Sequence, residues 1–404
     1  MNPDLTRLQP YPFERLRQLF SGVAPPAGMT PINLSIGEPK HPTPQFIKDA
    51  LARSLEGLSA YPATLGSLEL RTAIADWLGR RFGATVDPAT QVLPVLGTRE
   101  ALFALAQTVI DRSRAARVIA PNPFYQIYEG ATLLAGAAPL YLPTAEATGF
   151  RMDFGAVGAS DWNDVQLVYV CSPGNPTGHV MSLEEWRTLF DLSERHGFVI
   201  AADECYSEVY FDEARPPLGA LQAAVELGRG VERLVVFGSL SKRSNVPGLR
   251  SGYVAGDAAL IKNFLLYRTY HGNAMSGPVQ AASLAAWRDE AHVIENRRLY
   301  AHKFEYATPR IAAVLPTRKP DAAFYLWART PLDDAEFARR LYAATHVTVL
   351  PGSFLARERD GFNPGRGHIR IALVASVAEA EEAVARIVEF TTTLQDRHVA
   401  RTSH

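Results

Sequence analysis

Cysteine, lysine and net charge are what this 404-residue chain has little of. Its two cysteines, Cys171 and Cys205, are too few for a disulfide framework and show no paired Cys/His spacing, so neither a stapled fold nor a zinc site is expected. Both read as small buried apolar residues. With 41 basic and 42 acidic side chains the formal net charge is -1, and no summed field draws the chain to nucleic acid or anionic lipid. No apolar run reaches the roughly 18 residues of a membrane span. The start, Met1-Asn2-Pro3-Asp4, has no basic segment leading into an apolar one, so a cytoplasmic location is expected. The remaining composition, 47% hydrophobic and 21% charged, is ordinary for a globular chain and sufficient for one large domain and one smaller one.

Short apolar runs alternate with amphipathic stretches through the middle of the chain: Arg117-Val118-Ile119-Ala120, Val165 to Cys171, Phe198 to Ala202, and Leu234 to Phe237. This alternation predicts an α/β fold with a largely parallel sheet and helices on both faces. One helix is signed by a capping box, Ser182 with Glu185, then by an apolar stripe of Leu183, Trp186, Leu189, Phe190 and Leu192, with Gly197 as the stop. Another is expected from Thr98 or Arg99 to about Asp111. Beyond Gly277-Pro278 the pattern becomes more helical, and a second capping box, Ser376 with Glu379, opens a helix toward Phe390. Together with a Pro-rich N-terminal arm, that part reads as the smaller domain. The expected division is an arm and part of the small domain over 1–45, a large domain over 46–285 and a small C-terminal domain over 286–404.

The six lysines are Lys40, Lys48, Lys242, Lys262, Lys303 and Lys319. Lys48 and Lys262 lie in mixed-polarity helical surroundings, and Lys40 and Lys319 adjoin prolines in loops. Lys242 differs: it follows the apolar run Leu234-Val235-Val236-Phe237 through Gly238-Ser239-Leu240-Ser241. That places it beyond the carboxyl end of a buried strand, where open α/β sheets bind ligands. An amine held there among apolar neighbours has a lowered pKa and can form an imine with an aldehyde. A plain loop lysine is the competing reading, and this segment alone leaves the two level.

Other strand ends add to the first reading. Cys171-Ser172-Pro173-Gly174-Asn175-Pro176-Thr177-Gly178 is a rigid turn able to present the Asn175 amide. Asp203, directly after an apolar run, is costly to bury without a cation, and a protonated pyridine nitrogen would be one. Pro121-Asn122-Pro123-Phe124-Tyr125-Gln126-Ile127-Tyr128 offers an aromatic face for a planar ring, or a core aromatic cluster. Gly97-Thr98-Arg99 before a helix, with Ser239, Ser241 and Arg250, reads as an anion site of backbone N–H groups, hydroxyls and a guanidinium.

Over nearly its whole length the chain resembles the fold-type I pyridoxal-phosphate aminotransferases, the aspartate aminotransferase-like class I/II group. Ser239-Leu240-Ser241-Lys242, continued by Pro247-Gly248-Leu249-Arg250, looks like that family's cofactor-lysine motif. The resemblance implies Lys242 as Schiff-base residue and proton shuttle, with Arg250 and Ser239 on the phosphate. It implies Asp203 on the pyridine nitrogen, Tyr206 and Asn175 on the ring hydroxyl, Tyr125 as the stacking aromatic, and Thr98 with Arg99 at the phosphate-binding helix start. Arg370, in His368-Ile369-Arg370-Ile371-Ala372, resembles the arginine that takes the substrate α-carboxylate, and Gly37 the glycine whose backbone lies against it. Tyr61 resembles the tyrosine that reaches the phosphate of a neighbouring subunit, which implies a homodimer. Within the family, Leu34-Ser35-Ile36-Gly37-Glu38-Pro39-Lys40-His41-Pro42-Thr43-Pro44 looks most like the succinyldiaminopimelate aminotransferases of lysine biosynthesis. That implies exchange of an amino group between glutamate and N-succinyl-2-amino-6-oxopimelate by a ping-pong mechanism, with 2-oxoglutarate as the second keto acid.

Three readings compete. An aminotransferase for aspartate, alanine or aromatic amino acids would differ in acceptor preference. A carbon–sulfur β-lyase would release pyruvate and a thiol from cystathionine with no acceptor. An effector-binding regulator would need a basic helix-turn-helix segment, and none precedes Leu34.

Overall fold

The computed structural model describes residues 1–402, with side chains through Asp396. Its centre is a seven-stranded sheet. In spatial order the strands are Val92–Val95, Gly252–Gly256, Leu234–Ser239, Val199–Asp203, Val165–Cys171, Arg117–Asn122 and Ala138–Pro143. All run parallel except Gly252–Gly256, which is antiparallel to both neighbours. The four apolar runs predicted as strands all lie here, each within a residue or two of its expected ends.

Period-two alternation explains how one sheet serves two cores. Val168, Val170, Ile200, Ala202, Leu234 and Val236 point to a face packed by Trp77, Trp186 and Trp287. Their neighbours Leu167, Tyr169, Val199, Ala201, Val235 and Phe237 point to the other, packed by Leu102, Leu105 and Tyr128. Because both faces are covered, these strands are apolar on both faces up to their carboxyl ends and carry no polar alternation; the buried Gln166 is the exception, its amide donating to the Asp111 carbonyl at 3.2 Å.

The helix Leu183–His196 has both hydrogen bonds of its capping box, and Gly197 closes it at φ 77 in the left-handed region. The helix expected from Thr98 or Arg99 to about Asp111 spans Thr98–Val109, two residues shorter at its end. Ser376 and Glu379 form the second box, and the helix it opens runs over Val377–Thr402, well past Phe390.

The smaller part is an antiparallel sheet of Leu350–Pro351, His368–Ala372 and Tyr325–Arg329, with the helices Ala291–Ala312, Asp334–Thr345 and Val377–Thr402 around it. The N-terminal arm joins it directly: Ile32–Asn33 pairs in parallel with Val347–Thr348, and the Ala372 N–H donates to the Leu34 carbonyl at 2.8 Å. Among the described residues no helix is long and apolar enough to cross a membrane.

The two parts meet at His179. Its Nε2 lies 2.9 Å from Glu185 Oε1 on the helix Leu183–His196, and its Nδ1 lies 3.6 Å from Asp321 Oδ2 beyond the helix Ala291–Ala312. Burial alone would lower the imidazole pKa, but the two carboxylates outweigh it and raise it from 6.5 to about 9. A raised folded-state pKa gives stability that is fully present below 6.5 and disappears as pH climbs through about 9. The melting temperature of His179→Gln should therefore fall furthest short of the native value in mildly acidic solution and converge with it above pH 9. A gap that stays constant across this range would show that the imidazolium contributes no such linkage.

Candidate active site

Parallel strands bring their carboxyl ends to one edge, and the register aligns three of them: Cys171 lies opposite Asp203, and Asp203 opposite Phe237. The segments that follow, carrying Asn175, Tyr206 and Lys242, therefore open side by side into a cavity of about 620 Å³.

Lys242 sits in the helical turn Leu240–Arg243 that ends the strand Leu234–Ser239. Ser239 caps this turn by accepting from the Ser241 N–H at 3.0 Å. Arg243 fastens it from behind: its guanidinium is fully buried against Trp77 and Trp287, donates to the Ala286 carbonyl at 2.8 Å and pairs with Glu290. Consecutive residues of one turn thus face opposite ways, Arg243 into the core and Lys242 into the cavity. The Lys242 amine donates to the Gly37 carbonyl at 2.7 Å. Burial, helped by Arg250 and Arg370, lowers its pKa to about 8, so a usable fraction is the neutral nucleophile near pH 7.

Asp203 is 3% exposed at the cavity floor. Its carboxylate accepts from the Tyr128 hydroxyl at 2.6 Å and the Cys205 N–H at 3.3 Å. No ion pair joins it to a cation among the described residues, and burial raises its pKa. Such a group calls for a positive partner in the cavity. Tyr128, with its ring stacked on Tyr169 at 4.7 Å, is a residue that sequence reasoning read only as part of an aromatic face. The available signal was its position one helical turn after Tyr125; the two rings meet edge to face at 5.8 Å.

At another side of the cavity the helix start at Thr98 faces Arg250. Gly97 adopts φ +83, and a Cβ there would fall 2.3 Å from Arg250 Nη2, so the guanidinium lies over a position that only glycine leaves open. Thr98 Oγ1 lies 2.9 Å from Cys205 Sγ. Ser239 and Ser241 are buried along the same wall. Backbone N–H groups, hydroxyls and a guanidinium aimed at one volume make an anion site.

Arg370 is 3% exposed, so the surface arginine that would be the default for such a residue is not what the fold contains. It donates to Asn175 Oδ1 at 2.8 Å and to the Ser35 carbonyl at 2.6 Å, while its Nε has no partner among the described residues. Tyr325, which sequence reasoning missed, lies beneath it. From the N-terminal arm, Tyr11, Pro12 and Phe13 reach the mouth of the cavity.

The structure thus gathers Lys242, Asp203, Tyr206, Asn175, Tyr125, Thr98, Arg99, Ser239, Ser241, Arg250, Gly37 and Arg370 around one cavity, with Gly97 directly behind Arg250. Tyr61 is not among them; it stands fully exposed outside the cavity of its own subunit. The cysteines need correction: Cys171 and Cys205 are half-buried and line the cavity, because Cys171 ends its strand and Cys205 lies two residues beyond the end of the strand Val199–Asp203.

Pyridoxal phosphate fits this donor set. Its aldehyde would find a neutralisable buried amine, its ring nitrogen a buried carboxylate that has no cation among the described residues, and its phosphate a helix start beside a guanidinium. Comparison with known proteins agrees. Residues 30–387 match the family "Aminotransferase class I and II". The chain is 32% identical over 391 residues to an LL-diaminopimelate aminotransferase of Nitratidesulfovibrio vulgaris, covering 95% of this chain and 97% of that one. An aminotransferase of known crystal structure from Neisseria meningitidis superposes with a TM-score of 0.94 at 54% identity, covering 97% of this chain and all of that one. A probable N-succinyldiaminopimelate aminotransferase from Thermus thermophilus superposes at 0.82 with 26% identity, over 94% of this chain and 99% of that one. The chain belongs to the class I and II aminotransferases, enzymes of the fold-type I pyridoxal-phosphate architecture that its sheet and cavity display.

Proposed function

We propose that this aminotransferase moves an amino group between N-succinyl-L,L-diaminopimelate and 2-oxoglutarate, in the lysine and diaminopimelate branch of metabolism, with glutamate as the natural donor for the reverse half. The observation that carries the substrate class is a third guanidinium in the cavity, in addition to Arg250 at the anion site and Arg370. Arg370 lies at its buried end, while Arg99 is exposed at its mouth, 5.3 Å from the Tyr11 ring, with no hydrogen bond or ion pair among the described residues. A substrate with a carboxylate at each end, as glutamate and the succinylated amino acid both have, satisfies both. The likeness to LL-diaminopimelate aminotransferases supports the diaminopimelate branch, and the motif Leu34 to Pro44 with the likeness to the Thermus thermophilus protein supports the succinylated substrate within it.

Bound pyridoxal phosphate supplies the electron sink that makes the substrate Cα–H acidic. Lys242 would hold the cofactor aldehyde and, as the nearby amine, would take and return the proton of the substrate Cα. Asp203 keeps the ring nitrogen protonated, Tyr206 and Asn175 take the ring hydroxyl, and Tyr125 covers the ring face. Gly97, Thr98 and the Arg99 backbone, with Ser239, Ser241 and Arg250, hold the phosphate. Arg370, the Gly37 backbone and Asn175 take the α-carboxylate. In a homodimer Tyr61, exposed in the single subunit, reaches the neighbour's phosphate. A division at 1–45, 46–285 and 286–404, and a cytoplasmic location, complete the proposal. The pairing of Ile32–Asn33 with Val347–Thr348 supports counting the arm with the small domain.

Turnover with 2-oxoglutarate as acceptor tests it. The expected kcat/KM for N-succinyl-L,L-diaminopimelate exceeds that for alanine or phenylalanine, which lack a second carboxylate, by about tenfold or more, the worth of one charge-assisted contact, and is also the higher against L,L-diaminopimelate and aspartate. Preference for the unsuccinylated diamine, or for any of the simpler amino acids, would remove the succinyl assignment and leave the transaminase.

A further inference from the structure

Tyr325 opens the strand Tyr325–Arg329, is 2% exposed and stands on the cavity wall. Three groups converge on this one side chain. Its hydroxyl oxygen lies 2.8 Å from the hydroxyl of Tyr206. Its ring lies under Arg370, with the guanidinium carbon 4.4 Å from the ring centroid. A Cβ on Gly37 would fall 2.1 Å from the same hydroxyl oxygen, so the phenol occupies the space a side chain at 37 would need. The Gly37 carbonyl in turn accepts from the Lys242 amine at 2.7 Å.

We propose that Tyr325 is a positioning residue for transamination: its hydroxyl aims the Tyr206 proton at the cofactor's ring oxygen, and its ring holds the Arg370 guanidinium ready for the substrate carboxylate. The first half rests on the reading of Tyr206 given above.

The chemistry of a buried phenol pair sets the direction. Each hydroxyl has one proton to give, and burial holds the pKa of both above the ordinary value, so both keep that proton at working pH. Between two such hydroxyls one donates and the other accepts. With the Tyr206 proton committed to an acceptor in the cavity, Tyr325 is the donor, and donation to Tyr206 makes the latter a better donor in turn. Tyr206 then stabilises the ionised form of the ring hydroxyl more strongly. The second half uses the face of the same ring. Arg370 has one hydrogen bond on each terminal nitrogen, to Asn175 and Ser35, and these set the plane of the fork. An aromatic face against that plane resists tilting and stabilises the charge without using a donor the substrate needs.

Two substitutions separate the roles, and a third separates the proposal from the reading under it. Tyr325→Phe keeps the ring and removes the hydroxyl. In the cofactor-loaded enzyme it should move the pH midpoint of the cofactor's visible absorbance upward by about half a pH unit to one, the worth of one hydrogen bond, with KM for glutamate changed less than about twofold. Tyr325→Leu removes the ring as well and should raise that KM about tenfold. Tyr206→Phe should move the absorbance midpoint in the same direction and further, and adding Tyr325→Phe to it should move it no more. If Tyr206→Phe shifts the midpoint while Tyr325→Phe does not, the positioning role is gone and the placement of Tyr206 survives. If neither shifts it, Tyr206 is not on the ring oxygen and both fall. A KM for Tyr325→Leu that matches Tyr325→Phe overturns the role of the ring.

Discussion

Lys242→Ala is expected to lose transamination by at least about 10⁴-fold, the upper range for removal of a positioned proton-transfer group, and more because the covalent attachment goes with it. The folded chain should survive. The turn that carries Lys242 is held by the Ser239 cap and by the buried Arg243, neither of which the substitution touches. What is lost from the protein is one hydrogen bond to Gly37, about 1 kcal/mol, together with the cost of keeping an amine out of water. These oppose each other, and the melting temperature should move by only a few degrees. The wild-type protein loaded with pyridoxal phosphate should be yellow, and borohydride should fix the cofactor irreversibly at residue 242. Retention of borohydride-fixed cofactor by the alanine variant, or an unchanged rate, would take the chemistry away from Lys242.

The second large effect is expected at Asp203. Asparagine at this position can still accept from the Tyr128 hydroxyl, so it preserves shape and removes only charge. Loss of a buried ion pair with the ring nitrogen corresponds to roughly 3–5 kcal/mol, hence a fall in kcat of about 10²- to 10⁴-fold. Stability should respond the other way. A carboxyl whose folded-state pKa is raised weakens the fold as pH rises past its unfolded value, because ionisation is easier in the unfolded chain. Without cofactor, Asp203→Asn should therefore be at least as stable as the native protein at neutral pH, as expected where a site trades stability for function. Near-normal turnover would make the acid structural; a large loss of apo stability would mean that Tyr128 and Cys205 already satisfy it.

Much of this arrangement is legible locally. The helices opening at Ser182 and Ser376 begin where a side-chain oxygen and a carboxylate three residues on satisfy free N–H groups, and that chemistry needs no distant partner. The strands ending at Cys171, Asp203 and Ser239 are apolar runs broken before their carboxyl ends only by Gln166, a pattern that only a sheet covered on both faces can use. Once those strands are parallel, the residues after them share one edge. Position along the chain is then enough to suggest that Asn175, Asp203 and Lys242 face a common volume.

What stays hidden is every partnership across long separations. Tyr128 and Asp203 are 75 residues apart, Tyr206 and Tyr325 119, and Arg370 and Ser35 335. None has a local signature, since a buried phenol and a core aromatic obey the same burial pattern. The antiparallel strand Gly252–Gly256 was equally unreadable, because strand direction is set by the neighbours it pairs with. The two cysteines were misjudged for a related reason: a small apolar residue at a strand end faces core or cavity according to what the next layer leaves uncovered.

Local sequence by itself determined the secondary elements, the sheet's covered faces and the strand-end positions of the reactive groups, because caps and hydrophobic periodicity act within a few residues. Only the tertiary structure decided which phenol holds which acid, that Arg370 is buried, and that the N-terminal arm closes one side of the site. Those outcomes depend on how layers pack, and packing joins residues that share no local pattern.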